Sequence, residues 1–293
     1  MKKLYLYFIS ILILTGSPIN AFAQTRYVTS IHPFAEIIRE ISGEREAVTA
    51  LLPAGASPHT FELRPSHLRQ IEKATALIYG SPELDGWVSK VPSENKIQLL
   101  DFLPESYRLR MIMRDHDHDH GQSGDIDPHF WLDPLAVKAL LPSLTAKLSE
   151  LNPQGKEKYR ANAERFAAEL DSLNSEITVM LKPVKGENIL IAHPFMQYFC
   201  NRYQIVIAGA IETIPGKEPT PKTLKGVISL MQKERIRLIL TQKQLPNRAA
   251  EVVAESTGGK IVYLDPLGGI EGRVRYSDLI RYNAKALLEA LSE

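Results

Sequence analysis

Four residues that can offer a lone pair to a metal each follow a short β-rich run. His32 follows Tyr27–Ile31, His59 comes just past Ala47–Leu51, His193 follows Asn188–Ala192, and Asp265 follows Lys260–Leu264. The carboxyl ends of strands are where open α/β sheets place their ligands. A fifth candidate, His129, lies in Asp127-Pro-His-Phe-Trp-Leu-Asp133-Pro134, ahead of a helix that Asp133 can cap and Pro134 can open. Each has a plainer reading when taken alone. A histidine after a strand is commonly a satisfied polar residue, and Asp265 before Pro266 suits an N-cap or a turn. His67, in a helical run from Ser66, reads as a surface helix residue. Together they are different: three or four neutral imidazoles and carboxylates are what a divalent first-row metal requires.

The remaining histidines are conspicuous but of another kind. Residues 115–124 read DHDHDHGQSG, which crowds His116, His118 and His120 into a polar tract with no apolar periodicity, expected to be a surface loop. The single cysteine, Cys200, excludes an intrachain disulfide framework and any Cys-rich zinc site, so a metal here must rest on imidazole and carboxylate. A formal net charge of +1 over 293 residues gives no electrostatic ground for a nucleic-acid or anionic-membrane partner.

The elements that must position these residues alternate β-rich runs with helical patterns, as α/β folds with mainly parallel sheets do. To the four runs already named are added Ala76–Gly80 and Lys96–Leu100 in the first half, and Ile205–Gly209 and Ile236–Thr241 in the second. Four and four predict two similar Rossmann-like lobes, with the site in the cleft between them. From Pro153 to Met180 no strand signal appears. Tyr159, Ala163, Phe166, Leu170, Leu173, Ile177 and Met180 step by four and three, which places them on one face of a single helix ended by Pro183 and Gly186. Such a helix runs roughly 40 Å at 1.5 Å per residue and acts as a strut rather than a hinge. The alternative, two helices of a bundle, lacks a Pro or Gly break to divide them.

The expected organisation is a signal peptide over 1–23, a first lobe over 24–152, a linking helix over 153–183 and a second lobe over 184–293. The leader has Lys2 and Lys3, an apolar Leu4–Leu14 segment too short to span a bilayer, and Ala21-Phe22-Ala23 as cleavage site. Its removal takes two bases and no acid, leaving 33 of 35 bases against 34 acids. No cysteine follows that site to carry a lipid. The expectation is a soluble exported monomer, periplasmic where there is an outer membrane.

Several stretches, taken in order, carry a family resemblance: LLPAGASPHTFELRPS, DPHFWLDP, AHPFMQYFCNRYQI, GKEPTPKTL, VYLDPLGG and YSDLIRYNAKALLEAL. They resemble the landmarks of the zinc and manganese substrate-binding proteins of bacterial ABC importers, the ZnuA-like or TroA-like family, from about Thr29 to the C-terminus. The resemblance implies two α/β lobes joined by one long helix, with little closure on metal binding. It also implies His59, His129 and His193 as imidazole ligands and Asp265 as the carboxylate of the second lobe. His32 stands where relatives vary, as a further ligand, a donor that fixes an imidazole tautomer, or neither. Manganese-selective relatives typically place glutamate at the third position, whereas this chain has His193. Three nitrogens favour Zn²⁺ over the harder Mn²⁺. The Asp-His tract resembles the His-rich loop of zinc-binding members, whose imidazoles capture the ion weakly and pass it inward; incidental binding by a solvated loop is its alternative. The family often has Thr-Glu where this chain has Thr241-Gln242, and some zinc members carry a disulfide that Cys200 alone cannot form.

The function implied is a non-enzymatic binding protein that hands Zn²⁺ to an ABC permease, with an affinity that falls as pH drops through about 6.5. A Mn²⁺ or Fe²⁺ member, a metal buffer and an adhesin share the same landmarks. A secreted zinc hydrolase would need an open metal position and a general base, for which Glu62 and Glu218 are available. It has no His-Glu-x-x-His run, and an Asp265 ligand would close the open position.

Overall fold

A computed structural model describes residues 25–111, 126–212 and 218–292. The expected leader over 1–23 and the Asp-His tract with His116, His118 and His120 lie outside these residues. All eight predicted strands form, most of them trimmed at one or both ends: β1 (Tyr27–Thr29), β2 (Val48–Ala50), β3 (Ala76–Tyr79), β4 (Lys96–Gln98), β5 (Asn188–Ile191), β6 (Val206–Ala210), β7 (Leu238–Gln242) and β8 (Lys260–Leu264). They build two four-stranded sheets, β2-β1-β3-β4 and β6-β5-β7-β8, with every pairing parallel. In each order the chain reverses direction beside the first strand of the half, which opens a crevice at the carboxyl ends of β1/β3 and β5/β7.

The helices are α1 (His32–Ser42), α2 (Pro65–Glu72), α3 (Pro82–Asp85), α4 (Pro134–Leu151), α5 (Lys156–Leu181), α6 (Gln197–Tyr203), α7 (Pro221–Lys233), α8 (Arg248–Thr257) and α9 (Tyr276–Ser292). Parallel strands bury both faces, and the period of two divides their residues between separate cores. Tyr27, Ala76 and Ile78 face the main core, while Val28 and Leu77 face a smaller cluster with Ile71 and Val88. In the second sheet Ile189, Ile191, Leu238 and Leu240 join the main core, and Leu190 and Ile239 pack with Met231 and Val253 on the other face. The main core is continuous through both lobes, since residues of α1, α4, α5 and α9 all belong to it.

The long helix is one element. The buried stripe of α5 is Tyr159, Asn162, Ala163, Phe166, Leu170, Leu173, Ile177 and Leu181; Met180, expected on that face, is only partly buried because Leu181 points inward instead. Asn162 in its first half donates to the Ile41 carbonyl at 3.0 Å, while Glu176 in its second half accepts a bidentate pair from Arg281 of α9. One helix therefore ties into α1 of the first lobe and α9 of the second. Among the described residues no helix is long and apolar enough to cross a membrane.

Candidate metal centre

His59 occupies a tight turn, Pro58–Thr60, reached by a loop that leaves β2. The start of that loop continues the sheet pairing, with Leu51 N–H donating to Thr29 O at 2.9 Å and Leu52 N–H to Ser30 O at 3.0 Å. Gly55 then turns the chain at φ 83, a conformation in which a Cβ is strained. His129 precedes the turn Phe130–Leu132 and is held by Asp127. One carboxylate oxygen of that fully buried side chain accepts the His129 backbone N–H at 2.9 Å and meets His129 Nδ1 at 2.7 Å. This fixes the ring and leaves Nε2 free for another role. His193 follows β5 and is 2% exposed, yet neither of its ring nitrogens has a partner. A buried polar atom without a partner is costly, and two on one imidazole mark a place built to meet something else.

These three histidines converge. Their ring centroids lie 5.4 to 5.9 Å apart, and one nitrogen from each falls within 4.8 Å of the others. A tetrahedral ion about 2.0–2.1 Å from each nitrogen needs them roughly 3.3–3.4 Å apart, which small side-chain adjustments supply. Burial disfavours the charged form of His59 and His193. It is the largest cause lowering His59 to about 4, with the neighbouring His129 adding to it and the Glu83 backbone opposing. His193 is pushed well below the usual histidine range by burial first, then by His129 and His59. Neutral imidazoles are the form that donates a lone pair to a metal.

The other expected site residues stand outside this set. Asp265 shapes a turn: one carboxylate oxygen accepts the N–H groups of Leu267 and Gly268 at 3.0 and 3.1 Å, and the other lies 3.2 Å from Arg273. Asn283 brackets its backbone, accepting its N–H and donating to its C=O. His32 begins α1, and its Nε2 donates across the lobe boundary to the Val274 carbonyl at 2.7 Å, with Gly269 against its ring. His67 closes a capping box at the start of α2. Glu62 and Glu218, the acids available to a hydrolase, are both exposed.

Sequence reasoning missed the residues that hold the site together. Asp127 was findable, as a carboxylate two positions before a candidate ligand. The cross-lobe bonds carried no signal. Trp131 Nε1–H donates to Pro266 O at 2.7 Å, and Tyr276 O–H to Trp131 O at 2.7 Å. Gln197 Nε2 donates to Arg110 O at 2.6 Å, and Arg202 makes a two-pronged ion pair with Asp133 at 2.8 and 2.7 Å.

Comparison with known proteins agrees with this architecture. Residues 28–290 match the family model described as zinc-uptake complex component A, periplasmic. A high-affinity zinc uptake system protein ZnuA from Yersinia pestis is 30% identical over 277 residues, 87% of each chain. A putative metal-binding protein from Thermotoga maritima is 29% identical across 99% of this chain and all of its own. A ZnuA deletion mutant solved with zinc bound superposes with a TM-score of 0.77 at 27% identity, covering 92% of this chain and 98% of that one. The chain belongs to the ZnuA family of metal-binding solute-binding proteins of ABC transporters, which are not enzymes.

Proposed function

We propose that this member of the family captures Zn²⁺ in the periplasm and delivers it to the permease of an ABC importer. The observation that carries the reading is the donor set: three imidazoles meet, those of His129 and His193 buried and that of His59 half-buried, and among the described residues no carboxylate joins them. Nitrogen donors suit zinc better than manganese, which favours carboxylate and water oxygen. His59, His129 and His193 are the proposed ligands, with Asp127 orienting His129. Asp265 would have to release Arg273 and two amides to reach an ion, so the fourth position falls to water. His32, engaged by Val274, is assigned to the lobe boundary rather than to the ion. His116, His118 and His120 are assigned accessory capture. Residues 1–23 are the proposed cleaved leader, with lobes over 24–152 and 184–293 on either side of the 153–183 helix.

The test is metal analysis of protein purified without added metal, paired with competitive titration of Zn²⁺ against Mn²⁺. The expected result is zinc retained and zinc preferred. Preferential retention of manganese overturns the assignment.

A further inference from the structure

Three imidazoles that converge do not hold one another in place. One nitrogen from each ring faces the other two, and His193 has no hydrogen bond to hold its ring. Whatever keeps ligands from two lobes at coordinating distance before an ion arrives must lie outside the cluster. Among the described residues, Asp133–Arg202 is a charged link between the two ligand-bearing segments. Asp133 comes four residues after His129, just beyond the turn Phe130–Leu132, and Arg202 lies on α6, the helix entered directly from the His193 segment.

The pair is built to hold a position. Both guanidinium prongs are engaged, Nε at 2.8 Å and Nη2 at 2.7 Å, a geometry that fixes orientation as well as distance. The Asp133 side chain is only 4% exposed and also accepts the Leu135 N–H at 2.9 Å, so it caps α4 and cannot swing. At the other end of the link, Gln197 in the first turn of α6 is tied back to Arg110 of the first lobe. We infer that the Asp133–Arg202 pair is a positioning element that holds the His129 and His193 segments at ligand spacing in the metal-free protein. This rests on the three-histidine reading above and assigns neither residue to the ion.

The test uses the double variant Asp133→Asn/Arg202→Met. Asparagine keeps the cap on α4 and methionine keeps an unbranched stem, so both charges leave without stranding either. Spin labels on Gln70→Cys in α2 and Glu255→Cys in α8 report the distance between lobes without metal, and the buried Cys200 does not compete for label. The expected result is a broadened interlobe distance distribution in the metal-free protein and a Zn²⁺ dissociation constant raised about 10-fold or more, the usual reach of residues that orient ligands. A role confined to stability would lower the melting temperature and leave both readings at their wild-type values. Either reading unchanged overturns the inference. Should the double variant fail to fold, Arg202→Lys retains the charge but loses the fork, and an effect smaller in size on both readings is expected; wild-type values there overturn it equally. If the wild-type protein itself does not bind Zn²⁺, the proposed function fails, while the distance measurement still decides whether the pair sets the spacing.

Discussion

The same tripeptide occurs at the same place in both lobes, with opposite outcomes. Ile31-His32-Pro33-Phe34 follows β1, and Ala192-His193-Pro194-Phe195 follows β5; each of these strands is second in its sheet order and precedes the reversal. In the first lobe α1 begins at His32 itself, which sends the imidazole to the Val274 carbonyl. In the second lobe the chain turns before entering α6 at Gln197, and His193 is left buried between His59 and His129 with both nitrogens free. Residue type, local motif and topological position are equal. What differs is whether a neighbour has already engaged the ring.

Breaking that contrast takes paired substitutions. Zinc-site binding free energies of about 10–16 kcal/mol spread over three or four ligands give roughly 4 kcal/mol for one imidazole. His193→Ala should therefore weaken Zn²⁺ binding about 1000-fold in a chelator competition, while His32→Ala changes it by no more than about threefold. Equal losses would mean that both histidines serve the ion.

Acid should act through the same division. His59 has a folded value of about 4 against about 6.5 unfolded, so between those limits the unfolded chain binds more protons. Stability of the metal-free protein is then full above about pH 6.5 and falls as pH drops towards 4, by on the order of 3 kcal/mol for His59, with His193 acting in the same direction. Urea unfolding at pH 7.5 and 5 measures this, and His59→Ala should shrink the difference. The burial that depresses these two rings also moves their competition with protons below the pH 6.5 expected of unperturbed histidine.

Asp127→Ala should cost about 10- to 100-fold in affinity, because Nδ1 loses the acceptor that fixes the His129 tautomer. A wild-type dissociation constant in that variant would show that the ring is held by packing alone. Gly269→Ala has the smallest effect. A Cβ there would sit 3.0 Å from the His32 ring at φ 76, so a loss of about 1 kcal/mol in thermal stability is expected with zinc affinity unchanged.

Much of this architecture was legible because it rests on local pattern. The short β-rich runs alternating with helical patterns marked all eight strands, and the spacing of Tyr159, Phe166, Leu170 and Ile177 marked the long helix. Position relative to strands and helix caps, a local property too, marked His32, His59, His129, His193 and Asp265 alike, and only the family resemblance separated His59, His129 and His193 from His32. The roles of Asp265 and His32 were not legible. Arg273 and Val274, which occupy them, come from a loop whose path no periodicity describes. The Asp133–Arg202 pair is hidden for the same reason: its members are 69 residues apart and meet only after two lobes have docked.

The core shared between the lobes bears on how the molecule is made as well as how it stands. Tyr27 in the first strand and Leu287 in the final helix belong to one apolar cluster, so neither half completes its interior without the other. Contacts that close over so much chain form late, which makes acquisition of the native state slow and its loss a single cooperative event. A calorimetric scan should therefore show one transition rather than two.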